Sequence, residues 1–508
     1  MPFTALDILA TIDGIKNKAW RMEMSEAEKF KNFINGTWKA PRSDEYYPDI
    51  NPADYSDVVG YFPLSTKEDV DEAVSAAHTA FKGWASLLPA ERARYIDKFV
   101  ALLERDTKKI GEALCREEGK TLKEAIGEPT RGVVECSYFA AEAQKLEGIT
   151  MPSDRKGVVS VATCVPLGVV AAIAPWNFPF LTPLRKIIPA LAFGNTVVFK
   201  PAFDTPHCGV LLMELFEQAG FPPGVVNMVI GKGSSIGDAI SGNPLVRGIT
   251  FTGSTVVGRR INQLASQNFV KVQLEMGGKN PAIVADYHDL DRSASEIATA
   301  AYAVSGQRCT AISRVIVLKE HAEALEAKIA EKTKAYVLGN GMKPEVNMGP
   351  IINKDAGEKI MEYIQSARDE GATIKIGGKH ITGGEFDKGF YIEPTLITDV
   401  TPSMKVAKEE IFGPVLVSIK VNTFEEALEV ANSTEYGLAS CLFTDNLKYI
   451  YDFQQNIESG MTHVNHGTVT DASMPFGGVK NSGLGPFSKG STNKDFFTNY
   501  KVNYVKYV

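Results

Sequence analysis

Between residues 168 and 254, apolar segments alternate with segments that have the residue spacing of helices. The apolar segments are rich in valine and isoleucine and predict four buried strands, at residues 168–174, 195–200, 225–230 and 248–251. The intervening segments predict helices at residues 184–193, 208–219 and 235–241. Strands and helices that alternate at this spacing form βαβ units, whose strands lie parallel in a doubly wound sheet. This part of the chain therefore predicts an α/β fold.

Polar residues and glycines follow each of the four predicted strands. They are Asn177, Lys200, Gly231 with Gly233, and Gly253 with Ser254. In doubly wound sheets ligands bind beyond the carboxyl ends of the strands, which is where all of these residues fall. Each glycine spacing only approximates a dinucleotide fingerprint, and each alone fits a tight strand-to-helix turn equally well. Together they favour a dinucleotide whose phosphates meet the start of a helix.

A lone cysteine, Cys309, lies between a predicted helix at residues 297–304 and a predicted strand at residues 314–318. A junction of this kind can hold the sulfur toward a cleft. A nearby cation or free backbone N–H groups would then favour the thiolate, which is the nucleophilic form. The alternative is a buried structural thiol, the usual environment of a free cysteine.

A second candidate for chemistry is Glu275, which lies in an apolar strand between Leu274 and Met276, just before two glycines. A carboxylate that is partly desolvated in such a position suits a general base. The alternative is a carboxylate at the edge of the sheet, in contact with solvent.

Composition narrows the classes of function. With 508 residues the chain is too long for one hydrophobic core, and we expect two or three domains. The net charge of −7 predicts no general attraction to nucleic acid or to an anionic membrane. The six cysteines form no C-x-x-C pair, so we expect neither a disulfide framework nor a metal site. The N-terminus does not resemble a signal peptide, and we expect a cytoplasmic protein.

One uncharged stretch, residues 158–176, is long enough to raise the question of a membrane span. Pro166, Gly168 and Pro175 interrupt it, and its valine content favours two buried strands joined by a turn.

Both ends of the chain also carry patterns. Residues 1–30 predict an amphipathic helix, residues 32–38 a hairpin with Asn35-Gly36 as its turn, and residues 67–119 further helices. Residues 500–508 alternate strictly and predict a strand, which we expect to join the sheet of a neighbouring subunit.

Taken together, these features resemble the aldehyde dehydrogenase superfamily, from about residue 30 to the C-terminus. Seven motifs in the family's order carry the resemblance: Pro175-Trp-Asn-Phe-Pro179, Lys200-Pro-Ala202, Phe251-Thr-Gly-Ser254, Leu274-Glu-Met-Gly-Gly278, Gly306-Gln-Arg-Cys309, Glu410-Ile-Phe-Gly-Pro414 and Pro475-Phe-Gly-Gly478. The resemblance implies a homodimer or homotetramer with three parts. They are a Rossmann-like cofactor domain of residues 1–142 and 164–275, an α/β catalytic domain of residues 276–486, and a small β oligomerisation arm of residues 143–163 and 487–508.

The resemblance also implies a reaction. Cys309 attacks the aldehyde carbon, and the side-chain amide of Asn177 with the backbone N–H of Cys309 holds the oxyanion. Hydride passes to NAD or NADP, and Glu275 activates the water that hydrolyses the resulting thioester.

For the cofactor, the resemblance implies that Lys200 binds the adenosine ribose and Glu410 the nicotinamide ribose. The other cofactor residues that it implies are Trp176, Gly233, Gly253, Ser254, Gly258, Gly277 and Phe412. Phe476, in the late glycine loop, is implied to contact substrate.

Two departures from the family pattern affect these expectations. NAD-preferring relatives carry a glutamate three residues after the ribose lysine, where this chain has Phe203. Because that acid binds the 2′-hydroxyl and repels a 2′-phosphate, its absence leaves the choice between NAD and NADP open. The family's glycine–arginine–glutamate sequence is replaced here by Gly485-Pro-Phe487, which puts the contacts of that loop in doubt.

The third departure concerns substrate. Arg185 lies immediately before the family lysine, where many relatives that oxidise neutral aldehydes carry an aromatic residue. A guanidinium in a dry tunnel would select an anionic aldehyde, and the motifs also resemble those of 2-oxoglutarate and succinate semialdehyde dehydrogenases. Against this, Ala303 occupies a position where succinate semialdehyde enzymes often carry a second arginine. We favour a small anionic semialdehyde as substrate. The alternative for Arg185 is an arginine on the protein surface, and the alternative substrate is a neutral aliphatic or aromatic aldehyde.

Three other functions are less compatible with these residues. A CoA-acylating dehydrogenase commonly lacks the base that Glu275 would supply. The presence of Cys309, Asn177 and Glu275 together argues against a structural, non-catalytic member of the family. A cysteine hydrolase would need a histidine partner, for which His463 and His466 are the candidates, and it would have no use for the cofactor pattern.

Overall fold

The computed structural model describes residues 27–508. The helix predicted over residues 1–30 lies outside the described residues. Within them, the polypeptide forms two large sheets flanked by helices and a smaller three-stranded sheet.

The first large sheet has eight strands, five of which lie parallel in its centre. In spatial order its strands are Thr37–Lys39, Asn32–Ile34, Val226–Met228, Thr196–Lys200, Val169–Ile173, Val246–Thr252, Lys271–Glu275 and Gly483–Leu484. The chain order reverses between Val169–Ile173 and Val246–Thr252, so this is the topological switch point, where ligands bind in doubly wound sheets. All four strands predicted between residues 168 and 254 are confirmed.

Seven helices lie between the strands of this sheet in the chain. They are Lys67–Ala85, Pro89–Glu118, Leu122–Ala143, Leu181–Ala192, Pro206–Gln218, Gly233–Ser241 and Thr255–Gln267. The predicted helices are confirmed to within a few residues at each end. The hairpin at residues 32–38 is confirmed as well, since Asn35 and Gly36 both have positive φ, as a two-residue hairpin turn requires. The helix Leu122–Ala143 was not predicted.

The second large sheet has seven strands, of which only the edge strand Thr373–Ile376 is antiparallel. The others, in spatial order, are Thr395–Thr398, Val415–Val421, Ile312–Leu318, Asn280–Val284, Ala439–Phe443 and Met461–Val464. Its helices are Leu290–Tyr302, Lys319–Lys334, Lys354–Asp369, Lys405–Lys408, Phe424–Asn432 and Leu447–Asn456. The stretch that carries Cys309 enters a central strand of this sheet.

The third sheet corrects one prediction and leaves another open. Its strands are Thr498–Lys506, Val158–Pro166 and Ile149–Met151, all antiparallel. The C-terminal strand pairs within its own chain, with Val158–Pro166, and lies at the edge of this sheet, so its pairing with a neighbouring subunit stays a prediction. The strand Val158–Pro166 was predicted to be buried, but its side chains are partly exposed. Its contacts are chiefly with the two strands beside it, which leave the faces of the sheet open.

Shorter elements complete the fold. Three two-stranded pairs join Tyr46–Ile50 to Val58–Pro63, His380–Ile381 to Tyr391–Ile392, and Tyr436–Gly437 to Val479–Lys480. The helix Asn493–Phe497 precedes the C-terminal strand. From residue 27 onward, no helix has the length and apolar character needed to cross a bilayer. The fold class is thus α/β, as predicted, while the boundaries of the three domains stay a prediction.

Candidate active site

A cavity of about 970 Å³ is lined by strand ends of the first large sheet and by loops that lead into strands of the second. Most of the residues predicted for a site line it: Cys309, Glu275, Asn177, Trp176, Lys200, Gly233, Gly253, Ser254, Gly277, Glu410, Phe412, Arg185 and Phe476. Gly258 is the exception. It lies on a buried helix face, where a Cβ atom would stand 2.4 Å from the sulfur of Met276, so it serves helix packing rather than the cavity wall.

The backbone before Cys309 is strained. Val304, Ser305 and Gly306 follow one another in the left-handed region, with φ of 55°, 54° and 69°. Such a conformation costs a non-glycine residue about 1–3 kcal/mol and persists only where its surroundings hold it. Here Glu124 accepts a hydrogen bond from the Val304 N–H at 2.8 Å, and the Ser305 hydroxyl donates to the carbonyl of Gly349 at 2.8 Å. These contacts turn the chain sharply from helix to strand and bring Cys309 to the cavity.

The side chain of Asn177 is fixed next to this turn. Its Nδ2 donates to the carbonyl of Gln307 at 2.8 Å, and the residue is buried. Gln307 is itself held, because its Oε1 accepts from the N–H of Ile352 at 3.0 Å. One N–H of the Asn177 amide is thereby committed to the loop of the nucleophile, and no residue among 27–508 accepts a hydrogen bond from the other, although Asn177 lines the cavity.

Cys309 is half-buried, and its environment acts against the thiolate. Burial raises the pKa of the thiol to about 12, and the carboxylates of Glu275 and Glu410 act in the same direction. Arg308 and Arg185 lower that pKa, as a nearby cation was predicted to do, but burial outweighs them. The resting side chain is therefore a thiol.

Glu275 ends the strand Lys271–Glu275 and is only 7% exposed, so the alternative of a carboxylate in solvent is wrong. One oxygen, Oε2, accepts a hydrogen bond from Thr252 Oγ1 at 3.2 Å. The other, Oε1, has no hydrogen-bond partner among the described residues. A buried carboxylate with an unsatisfied acceptor in a cavity is suited to take a proton.

One end of the cavity, which we call the cofactor end, contains Lys200, Gly233, Ser254, Gly277 and Glu410. Burial lowers the pKa of Lys200 to about 8, and among the described residues its Nζ donates only to the carbonyl of Pro201. Burial raises the pKa of Glu410 to about 7, and its Oε1 accepts from the N–H of Gly278 at 2.9 Å.

The cofactor end has room for a dinucleotide. Two helices, Gly233–Ser241 and Thr255–Gln267, begin there, and their free N–H groups suit phosphate. A Cβ atom at Gly233 would meet nothing within 4 Å, whereas one at Gly277 would stand 2.2 Å from Glu410 Oε2. Trp176 and Phe412 meet edge to face with ring centroids 5.5 Å apart. These residues fit NAD or NADP: Lys200 and Glu410 would hold ribose hydroxyls, and the helix starts would hold the phosphates.

The other end, which we call the substrate end, is lined by Arg185, Arg131 and Phe476. The buried side chains of Glu135 and Lys489 contact these residues but do not line the cavity. Arg185 is 12% exposed and binds Glu135 through two hydrogen bonds, at 2.7 and 2.8 Å, so the alternative of a surface arginine is wrong. Arg131 Nε lies 2.9 Å and Lys489 Nζ 3.5 Å from the same carboxylate. Burial alone would raise the pKa of Glu135, but Arg185, Lys489 and Arg131 together lower it to about 2. The guanidinium of Arg185 also lies 5.6 Å from the ring centroid of Phe476.

The helix that supports this end, Leu122–Ala143, was not predicted from the sequence. Glu124, Glu128, Arg131 and Glu135 recur at intervals of four, three and four residues along Leu122–Ala143. That spacing places them on one helix face, the arrangement expected of apolar core residues. Charged residues at this helical spacing were the sequence signal that could have revealed the helix.

Other predicted features lie away from the chemistry. His463 and His466 contact each other, with ring centroids 5.1 Å apart, but neither lines the cavity with Cys309. Neither histidine is therefore placed to serve as the partner that a cysteine hydrolase would need. Phe487, in the replaced family motif, packs its ring over Gly477. Among residues 27–508, no three His, Cys, Asp or Glu side chains are grouped as metal ligands would be.

The fold and this cavity define a class of dinucleotide-dependent dehydrogenase, and comparison with known proteins identifies the family. The sequence profile of the aldehyde dehydrogenase family matches residues 38–503, and the chain belongs to that family. It is an NAD(P)-dependent oxidoreductase that acts on aldehydes.

Three similar proteins illustrate the relationship. The chain is 42% identical to the alpha-ketoglutaric semialdehyde dehydrogenase of Bacillus subtilis, over 95% of this chain and 99% of that protein. It is 38% identical to the 3-sulfolactaldehyde dehydrogenase of Pseudomonas putida, over 90% of this chain and 93% of that protein. The solved structure of betaine aldehyde dehydrogenase from Staphylococcus aureus in complex with NAD+ matches with a TM-score of 0.92 and 31% identity, over 96% of each chain.

Proposed function

We propose that this enzyme oxidises a small anionic semialdehyde to the corresponding acid, with Cys309 as nucleophile. The observation that carries the choice of substrate is the set of charges at the substrate end. Three cations, Arg131, Arg185 and Lys489, surround the single buried carboxylate of Glu135. With all three protonated, the group keeps two positive charges that no side chain of the group neutralises. A substrate carboxylate supplies one of the missing negative charges.

The names of two relatives support this choice. Alpha-ketoglutaric semialdehyde and 3-sulfolactaldehyde both denote short aldehydes with an acid group at the far end. An aldehyde of this shape can place its acid group at the arginines while its carbonyl carbon meets the sulfur of Cys309.

The first chemical step is the attack of Cys309 on that carbon. Because the thiol is protonated at rest, its proton must leave as the C–S bond forms, and Oε1 of Glu275 is a buried base able to receive it. The carbonyl oxygen becomes an oxyanion, which accepts hydrogen bonds from the free N–H of the Asn177 amide and from the Cys309 backbone. One such donor is worth about 3–4 kcal/mol of transition-state stabilisation.

When bound, NAD or NADP supplies the acceptor for the hydride that leaves the tetrahedral adduct on Cys309. The adduct becomes a thioester. Glu275 releases the proton of the thiol to solvent and then takes a second proton from water, whose oxygen attacks the thioester carbon. The C–S bond breaks, the acid departs, and the proton on Glu275 returns to the sulfur of Cys309. A buried base in this position favours hydrolysis over transfer of the acyl group to CoA.

We also propose that the enzyme is a homodimer or homotetramer in the cytoplasm, assembled through the three-stranded sheet. That sheet exposes apolar side chains of its C-terminal strand, among them Tyr500, Val502 and Tyr504, which a partner subunit would cover. All six cysteines are free, in keeping with a reducing compartment.

Substrate choice can be tested by following reduced nicotinamide at 340 nm. The substrates are succinate semialdehyde, 2-oxoglutarate semialdehyde and a neutral aliphatic aldehyde, each with NAD and with NADP. The variants are Arg131→Gln and Arg185→Leu, with Arg105→Leu, an exposed arginine on the helix Pro89–Glu118, as control. We expect the acidic substrates to lead in kcat/KM, and to lose roughly 100-fold in the first two variants, as is usual when one partner of a buried charge pair is removed. A leading neutral aldehyde, with its rate unchanged in both variants, would contradict the proposal.

A further inference from the structure

A buried ion pair that the reaction does not use lies directly behind Asn177. Lys120 joins the helices Pro89–Glu118 and Leu122–Ala143, and its side chain has no exposed surface. Its Nζ donates to Glu128 Oε1 at 2.6 Å and to the backbone carbonyl of Asn177 at 2.7 Å. The same ammonium lies 4.2 Å from the ring centroid of Phe178.

The partner carboxylate holds the other side of the same loop. Oε2 of Glu128 accepts from the N–H of Leu181 at 3.0 Å and from that of Phe180 at 3.3 Å. These N–H groups belong to the start of the helix Leu181–Ala192, where a carboxylate is electrostatically favoured. Lys120 and Glu128 therefore fasten the loop of residues 175–180 by a carbonyl and by two N–H groups, on either side of Phe178.

The contacts continue to the nucleophile. Lys120 holds the main chain of Asn177, the amide of Asn177 binds the carbonyl of Gln307, and Gln307 precedes Cys309 by two residues. Removing an ion pair from water is costly, so its presence here indicates that the position of this loop matters.

We propose that Lys120 and Glu128 are positioning residues, which set the Asn177 amide at the distance and angle needed by the oxyanion. Neither residue lines the cavity, so neither touches substrate or cofactor. This inference rests on the proposed role of Asn177. It states that the ion pair acts on the rate of the reaction through that amide, and only through it.

The experiment is a double-mutant cycle between Lys120→Met and Asn177→Ala, measured as kcat with saturating aldehyde and dinucleotide. Asn177→Ala alone is expected to lose roughly 100- to 1,000-fold in kcat, the usual effect of removing an oxyanion donor. Lys120→Met alone is expected to lose about 10- to 100-fold in kcat, with KM and the dinucleotide Kd changed less than about threefold. In the Asn177→Ala background, Lys120→Met should cost less than about threefold more, because the amide it positions is already gone.

Two further variants guard against a loss of folding. Glu128→Gln keeps an oxygen for the N–H of Leu181 but removes the charge opposite Lys120, and it should lower kcat in the same way by a smaller factor. Arg92→Met is the matched control. Arg92 is also a buried cation that donates to a backbone carbonyl, that of Ala192 at the far end of the helix Leu181–Ala192. It should lower the midpoint of thermal unfolding and leave kcat within about twofold of the wild type.

The outcomes separate the two proposals. If Asn177→Ala keeps its rate, the oxyanion role itself is wrong. If Asn177→Ala is slow but Lys120→Met loses the same factor in both backgrounds, or loses none while folded, the positioning role is overturned.

Discussion

The two ends of the cavity are built by different means. The cofactor end consists mainly of residues at or just beyond the ends of strands of the first sheet, such as Lys200 at the end of Thr196–Lys200 and Ser254 after Val246–Thr252. Backbone N–H groups and helix starts supply much of its binding capacity. At the substrate end, charged and polar side chains from distant parts of the chain meet: Arg131 bonds with Thr470, 339 residues further along.

The cofactor end follows from the fold, whereas the substrate end depends on individual side chains. A site made by strand ends and helix starts follows from the fold, and a dinucleotide uses the same groups whatever aldehyde is oxidised. A site made by side chains around one buried carboxylate depends on a few residues that the fold does not require. We therefore expect substitutions at one end to leave ligand binding at the other largely unchanged.

The largest effect is expected for Cys309→Ala, which lies between the two ends. Loss of the nucleophile should reduce kcat by a factor of 10⁴ or more, on the order of the losses seen when other enzymes lose theirs. Dinucleotide binding, measured by titration calorimetry, should stay within about threefold of the wild type. In contrast, dinucleotide binding should weaken in Gly277→Ala, in which Cys309 is intact but the added Cβ atom would displace Glu410. A dinucleotide Kd that rises tenfold in Cys309→Ala would contradict the independence of the two ends.

The cofactor end was also easier to predict from the sequence than the substrate end. The strands at the cofactor end were predicted because buried parallel strands are continuous apolar runs bounded by glycine and proline. The residues after them could then be assigned to one edge of the sheet. Cys309, Glu275 and Asn177 were found for the same reason, since each lies at or just beyond the end of a regular element.

The substrate end could not be predicted in the same way. Arg185 was recognised, but nothing in the sequence indicated that Glu135, fifty residues earlier, binds it. The helix Leu122–Ala143 was missed because its inward face carries charges and it contains Pro129, both of which count against a buried helix in sequence patterns. The C-terminal strand was recognised as a strand, but its partner was not, because strand pairing depends on contacts across more than 300 residues.

The substrate end should also be sensitive to acid. The three cations hold the pKa of Glu135 at about 2, below the ordinary value of 4.5. A carboxyl whose pKa is lowered by folding stabilises the protein above the unfolded pKa, and this contribution is lost as pH falls toward the folded pKa. Glu135→Gln should therefore be less stable by about 3 kcal/mol at pH 7, the order of cost for breaking a buried ion pair.

The difference between Glu135→Gln and the wild type should narrow between about pH 4.5 and pH 2, as the wild-type carboxyl gains its proton. The free energy of unfolding in urea, measured from pH 7 downward, tests this expectation. Glu104→Gln, an exposed glutamate on the helix Pro89–Glu118, serves as control and should change little at any pH. A constant difference between Glu135→Gln and the wild type over the whole range would show that the charge of Glu135 is not what matters.

The smallest effect concerns the choice of dinucleotide. Phe203 lines the cofactor end and stacks on Tyr47 with ring centroids 3.9 Å apart. Phe203→Glu places a carboxylate where it can accept from a ribose 2′-hydroxyl and repel a 2′-phosphate. It should raise the Kd of NADP about tenfold and change that of NAD less than threefold. Phe203→Leu removes the stacking without adding charge and should shift both dissociation constants alike. If Phe203→Glu weakens NAD as much as NADP, the groove is governed by the aromatic contact, and the cofactor end is less independent of side chains than its backbone construction indicates.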